Sequence, residues 1–234
     1  MKAVVFAGPT ITRDEGSALL DAEWRPPAAQ GDVYRAAREG FDAIGIIDGY
    51  FEVVPSVWHK EVLWAMSRGA RVYGSASMGA LRAAELADFG MVGVGEVFER
   101  FRDGTFEDDD EVAVVHAPAE EGYRAISEAM VNIRATLRAA GRAGVISEVT
   151  RDALEQKAKA LFYPDRHLAL VARDEPALQA WLAGARVDLK RLDARAMLAR
   201  MRDDLAGGEA PEPARYLFEH TDAWEAMVRA AAKT

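Results

Sequence analysis

Serine 77 sits in the stretch Gly74-Ser-Ala-Ser-Met-Gly-Ala-Leu-Arg-Ala-Ala-Glu85, whose residue types and spacing could support covalent chemistry. A short apolar run ends at Tyr73, Gly74 opens a turn of small residues, and a helical pattern starts at Ser77. A serine on a strand-to-helix turn with Gly79 two residues on resembles the second half of a nucleophile elbow, although Ser75 replaces the first elbow glycine. The same position is that of a helix N-cap, for which serine is favoured. The two readings are compatible. A hydroxyl at a helix N-terminus lies among free backbone N–H groups and a partial positive charge. Gly74, Ser75, Met78 and Gly79 are thus candidates to support an oxyanion.

A serine nucleophile needs a base. His59, His116, His167, His220, the carboxylates and Lys60 are available. A helix expected over 56–68, capped by Ser56, puts Lys60 near its first turn, where the macrodipole favours the neutral amine. Val57, Leu63 and Trp64 lie close on that helix and give the lysine an apolar cover, which helps a general base. The bland alternative is a surface lysine with its stem on Trp64. His116 ends an apolar run read as a strand, so it either faces the Ser77 cleft or is a satisfied core histidine. Arg82 and Glu85 form a surface pair or reach the site. His59 is a further candidate for its lining.

The acidic run Asp108–Glu111 could hold a divalent cation or be a solvated turn, the commoner case. Histidines at i,i+4 are absent, and so is cysteine. That removes helical zinc pairs, cysteine–zinc sites, thiolate catalysis and disulfides. Phe6-Ala-Gly-Pro-Thr10 lacks the glycine pattern of a phosphate loop. No metal and no cofactor is expected.

Elements must bring these residues together. Ala3–Ala7, Ala43–Ile47 and Ala70–Tyr73 are short, apolar and closed by Gly, Asp-Gly or Pro, as in strands buried on both faces. Helical stretches at about 30–39, 56–68 and 77–88 alternate with them, which implies a parallel sheet. Val112–Val115 reads as a fourth strand. Beyond it helices are expected at about 121–141, 147–160, 176–184, 188–205 and 213–231. The expected fold is α/β: a Rossmann-like parallel core of about four strands over 1–120, with a helical region over 121–234. In such sheets ligands bind outside the carboxyl ends of the strands. Gly8-Pro9-Thr10 and Asp48-Gly49 therefore join Ser77 as site lining.

With 234 residues, half of them hydrophobic, the chain can bury a sizeable core. A net charge of −9 argues against non-specific binding to nucleic acid or an anionic membrane. The mixed charges of 186–202, from Arg186 to Arg202, read as a solvated helix face. Met1-Lys2 leads straight into a strand-like run rather than a signal peptide, and no apolar run spans a bilayer, so the expected location is the cytoplasm.

Across its first half the sequence resembles the TfuA-like family. The likeness rests on Phe6-Ala-Gly-Pro-Thr10, Gly31-Asp32-Val33, Ile47-Asp48-Gly49-Tyr50, Val57-Trp-His-Lys-Glu61, Gly74–Leu86, Gly90–Gly95 and Asp109–Ala113. The resemblance implies a partner of a YcaO-type ATP-dependent enzyme in backbone thioamidation of a precursor peptide or target protein. It implies hydrolysis of a thiocarboxylated, ThiS-like sulfur-carrier protein to release sulfide, and help with substrate engagement. A Ser–Lys pair carried over by motif falls on Ser77 and Lys60, with Ser75 as neighbouring candidate. A chain without cysteine cannot carry sulfur as its own persulfide, which fits a donor protein. Two readings compete with the hydrolase. One is a non-catalytic scaffold for the YcaO-type partner, with Ser77 serving only as a cap. The other is a small-molecule or nucleotide enzyme of unrelated substrate.

Overall fold

The computed structural model describes residues 1–50, 54–208, 213–214 and 216–232. They form an α/β protein with a five-stranded parallel sheet. Its strands are β1 (Ala3–Phe6), β2 (Glu23–Arg25), β3 (Ala43–Ile46), β4 (Arg71–Ser75) and β5 (Val92–Val94), in the order β2-β1-β3-β4-β5. The expected strands at 3–7, 43–47 and 70–73 are the three central ones. The two edge strands escape a sequence reading because each is only three residues long. Glu23-Trp-Arg25 is largely polar, and Val92-Gly-Val94 has a glycine at its centre.

The chain divides into two compact units, one of Met1–Thr105 with Arg191–Thr234 and the other of Phe106–Lys190. In the first unit, α1 (Arg13–Ser17), α2 (Asp32–Arg38), α3 (His59–Ser67), α4 (Met78–Leu86) and α5 (Glu96–Arg102) alternate with or follow the strands. Strand side chains alternate between faces. Ala3, Val5, Ala43, Ile47 and Tyr73 join a buried cluster with Ala194, Met197, Leu198 and Met201 of α10 (Leu189–Ala206). Gly45 permits this contact, since a Cβ there would lie 2.8 Å from Met201 Sδ. The alternate residues Val4, Phe6, Ile44, Ile46 and Val72 are equally buried. Hence the central strands are apolar throughout rather than alternating.

In the second unit, α6 (Met130–Arg142), α7 (Glu148–Lys159), α8 (Leu168–Val171) and α9 (Pro176–Leu182) pack around Met130, Ile133, Leu137, Leu154, Leu168, Val171 and Leu178. The strand expected at Val112–Val115 does not form. Asp109–Glu111 is a 3₁₀ turn, and the backbone of 115–117 bonds instead to 124–127. Ala117 N donates to Arg124 O at 2.9 Å and Ile126 N to Val115 O at 2.7 Å. This local turn also delays the helix expected from 121 until Met130. The helix expected over 213–231 is realised as α11 (Asp222–Ala231), capped by Thr221, whose side chain accepts from Trp224 N; residue 215 lies outside the described residues.

Candidate functional site

Parallel register sets which loops meet. Phe6 pairs with Ile46, and Ile46 with Gly74. Gly8–Thr10, Asp48–Gly49 and Ala76–Ser77 therefore leave the sheet along one edge, at the carboxyl ends of three adjacent strands. In the order 2-1-3-4-5 the chain switches direction between β1 and β3, where open sheets of this kind carry their crevice. Asp48, 2% exposed, fills that position. Its carboxylate accepts from Gly8 N at 2.8 Å, Thr10 N at 3.1 Å and Thr10 Oγ1 at 2.6 Å. The structure thus joins Gly8, Thr10 and Asp48 directly, with Pro9 held in the bend between them.

Next to this clamp, the turn into α4 is tight. Ser77 N donates back to Ser75 O at 2.7 Å, and Ala76 between them has φ of 64°, a left-handed conformation that costs an alanine about 1 kcal/mol or more. Two glycines allow backbone to meet backbone there. A Cβ on Gly79 would lie 1.8 Å from Ile46 O, and one on Gly74 would lie 2.1 Å from Gly79 O. Met78 packs on Gly49, where a Cβ would meet Met78 Cγ at 2.8 Å. Ser77 is buried and occupies the N-cap position, but its side chain makes no cap hydrogen bond. Gly79 N reaches Ile47 O at 3.3 Å. Among the described residues Met78 N–H is the first-turn donor left for an incoming oxyanion. Ser75 lies on the same strand face as Tyr73, fully buried, and its hydroxyl has no partner among the described residues.

The residues at the start of α3 fall into two groups. Lys60 Nζ donates to Thr221 Oγ1 at 3.1 Å and lies 5.9 Å and 5.4 Å from the ring centres of Trp58 and Phe218. Its hydrogen bond goes to the segment preceding α11, not to Ser77. Ring faces of this kind stabilise an ammonium. His59 Nε2 lies 2.7 Å from Glu85 Oε2, and Arg82 Nη1 donates to the same oxygen at 2.8 Å. Arg82 Nε is anchored on Val57 O at 2.8 Å and Nη2 on Ser56 Oγ at 3.4 Å. Burial alone would raise Glu85, but the bonds from His59 and Arg82 outweigh it and hold the carboxyl below its usual range. Ser56 thus serves Arg82, and the helix begins three residues later than expected, at His59 with Trp58 as N-cap.

His116 and Asp108–Glu111 belong to the second unit. His116 bridges to Ala125, and its Nδ1 is 2.8 Å from Ala117 O. The acidic run is only half solvated: Asp108 and Asp109 are exposed, while Asp110 and Glu111 turn toward cations of the same unit. Lys159 pairs with Asp108, Asp110 and Glu111; Arg166, 1% exposed, pairs with Asp110; Arg134 holds Glu111 at 2.9 and 3.0 Å. Arg134 of α6, Lys159 of α7 and Arg166, just before α8, supply these cations, so partner distance along the chain hid this role. Among the described residues no cluster of three His, Asp or Glu side chains is arranged to hold a metal ion.

Two carboxylates were not singled out from the sequence. Glu61, fully buried, accepts from the N–H groups of Gly31, Val33 and Tyr34 at the start of α2 and from Trp58 N, at 2.8 to 3.2 Å. Asp193 of α10 accepts from Val97 N at 2.7 Å and so caps α5, whose own N-cap, Gly95, has no side chain. With φ of 102°, Gly95 also makes room: a Cβ would lie 2.2 Å from Asp193 Cγ. Burial pushes the Asp193 carboxyl up to about 6. Replacing Asp193 by Ala leaves buried N–H groups without an acceptor and is expected to cost about 1–3 kcal/mol. Thermal unfolding checks this, and an unchanged midpoint would refute the capping role.

A family model described as TfuA-like protein matches residues 48–167, just over half of the chain. That stretch includes Asp48, the start of α3 and the whole Gly74–Glu85 turn and helix. Among curated proteins no match is found.

Proposed function

The chain belongs to the TfuA-like family, and from that premise we propose that it partners a YcaO-type enzyme in backbone thioamidation, releasing sulfide from a thiocarboxylated, ThiS-like carrier protein through Ser77. The observation that carries the reading is Ser77 itself. Its hydroxyl ends a strained turn at the N-terminus of α4, beside the crevice, and is not used as a cap.

The Ser77 oxygen attacks the thiocarboxylate carbonyl as a base takes its proton. The C–S bond breaks, the protonated base passes its proton to the departing sulfide, which leaves as hydrosulfide, and the carrier is held as an acyl ester on Ser77. Water, deprotonated by the same base, cleaves the ester and returns the carrier as a carboxylate. Met78 N–H and the positive end of α4 stabilise the tetrahedral oxyanion. Asp48 contributes by fixing Gly8–Thr10, which shapes the crevice wall. Lys60 is the base the family motif supplies. It must leave Thr221 and the two rings to act.

Replacing Lys60 by Ala is expected to slow sulfide release by about 100-fold or more, as for loss of a general base. A lead-trapping assay with purified thiocarboxylated carrier reads this directly. A second reading draws on the Lys60–Thr221 contact: the chain is a scaffold for the YcaO-type enzyme and the lysine pins the segment before α11. Unchanged release in the Lys60 variant, with weakened partner binding, selects the scaffold.

A further inference from the structure

We infer that the open groove between α2, α3 and α11 is a docking site for an acidic peptide segment of a partner protein that also carries apolar side chains. The groove encloses about 560 Å³, within the range of ligand sites. Its floor is three aromatic rings. Tyr34 and Trp64 have centroids 4.6 Å apart, Tyr34 and Trp224 5.5 Å, and Trp64 and Trp224 6.2 Å. Tyr34 and Trp224 are buried and Trp64 is half-buried, so the floor is held by packing.

Two exposed arginines border this floor. Arg38 Cζ is 5.9 Å from the Tyr34 ring centre, and its Nη1 donates to Tyr34 Oη at 3.1 Å. Arg68 Cζ is 5.2 Å from the Trp64 ring centre. A ring face fixes a guanidinium and leaves its N–H edge free for an oxyanion. Among the described residues neither arginine is in an ion pair. Their neighbours are: Arg35, one turn before Arg38, pairs with Asp32, and Arg71, just after α3, pairs with Asp204. The one carboxylate in the lining, Glu225, lies 3.0 Å from His220 Nδ1.

A pair of oriented guanidiniums on a chain of net charge −9 is a local reversal of sign. Carboxylates are their natural partners, taken in bidentate fashion. The ring floor takes apolar side chains. Because the groove is open rather than enclosed, an extended segment fits it better than a small molecule, which sites usually engulf. The acidic surface elsewhere on the chain repels the same segment and directs it here.

Fluorescence anisotropy with the full chain tests this. The probes are a labelled peptide of three Glu-Leu repeats and its counterpart of three Gln-Leu repeats. At about 0.05 M salt the Glu peptide is expected to bind about tenfold tighter or better, with the advantage shrinking at about 0.5 M. The double variant Arg38→Ala/Arg68→Ala is expected to lose about tenfold in affinity for the Glu peptide. Its circular dichroism should not move and its unfolding midpoint should fall only slightly, by the loss of two exposed ring contacts and the Tyr34 hydrogen bond. Equal binding of the two peptides, or unchanged binding by the double variant, overturns the proposal. So does arginine-dependent binding of benzoate when neither peptide binds, which makes the groove a small-carboxylate site.

Discussion

Sulfide release from a thiocarboxylated carrier is expected to fall by about 1,000-fold or more when Ser77 becomes Ala, with folding stability unchanged to within about 1 kcal/mol. The large kinetic effect follows from the role. Ser75, the other hydroxyl on the turn, is fully buried, so the covalent route is lost. The small stability effect follows from the geometry. The hydroxyl makes no cap hydrogen bond, so deleting it leaves no backbone donor stranded. A cap serine would behave in the opposite way, costing about 0.5–2 kcal/mol and nothing in rate. One substitution therefore separates the enzyme from the scaffold. Ser75→Ala is the matched control. Its hydroxyl is buried without a partner, so removing it should leave both stability and rate near those of the unaltered chain. Acid-quenched protein should carry the carrier's acyl group on the peptide containing Ser77. Hydrolysis by Ser77→Ala at within tenfold of the unaltered rate would sink the mechanism.

The central part of the fold and much of the crevice were legible in the sequence, and the reason is local. Continuous apolar runs closed by Gly or Pro mark strands buried on both faces, and small residues mark the close approaches at Gly74 and Gly79. Strand-end logic then gathers Gly8–Thr10, Asp48 and Ser77 without any long-range information. What escaped depends on partners distant in the chain. Asp108–Glu111 reads as a loose acidic turn until Arg134, Lys159 and Arg166 reach Asp110 and Glu111 from farther along the chain. Asp193 reads as one charge in a mixed helix face, yet it caps α5 almost a hundred residues earlier. The cover of α10 on the sheet is hidden for the same reason: the four apolar residues it packs there sit among charges that dilute the pattern. Lys60 is a different case. Its place in the first turn of α3 was readable, but Thr221, which accepts its hydrogen bond, lies near the other end of the chain.

Glu61 shows how much can rest on such a distant partner. Replacing it by Ala is expected to remove about 3–5 kcal/mol, a large share of the stability of an ordinary domain. Four backbone N–H groups, those of Gly31, Val33, Tyr34 and Trp58, lose their acceptor at once in a fully buried place. Those groups form the start of α2 and the N-cap of α3, so both helices loosen where they meet. Urea unfolding measures the loss, and a change below about 1 kcal/mol would show that water replaces the carboxylate cheaply. The pH dependence has a definite sign. Burial raises the carboxyl from 4.5 to about 7, against the opposing pull of the Trp58, Gly31 and Tyr34 N–H groups. Between those values the folded chain holds a proton that the unfolded chain has released. Glu61's contribution is therefore fully present below pH 4.5 and is lost as pH rises through 7. Glu61→Gln has no proton to lose at this position. The stability of the unaltered chain minus that of Glu61→Gln should decline by up to ~3 kcal/mol across this window. A difference that stays flat with pH would mean that the N–H groups hold the carboxylate ionised throughout, and that α2 and α3 are joined by a permanent buried charge.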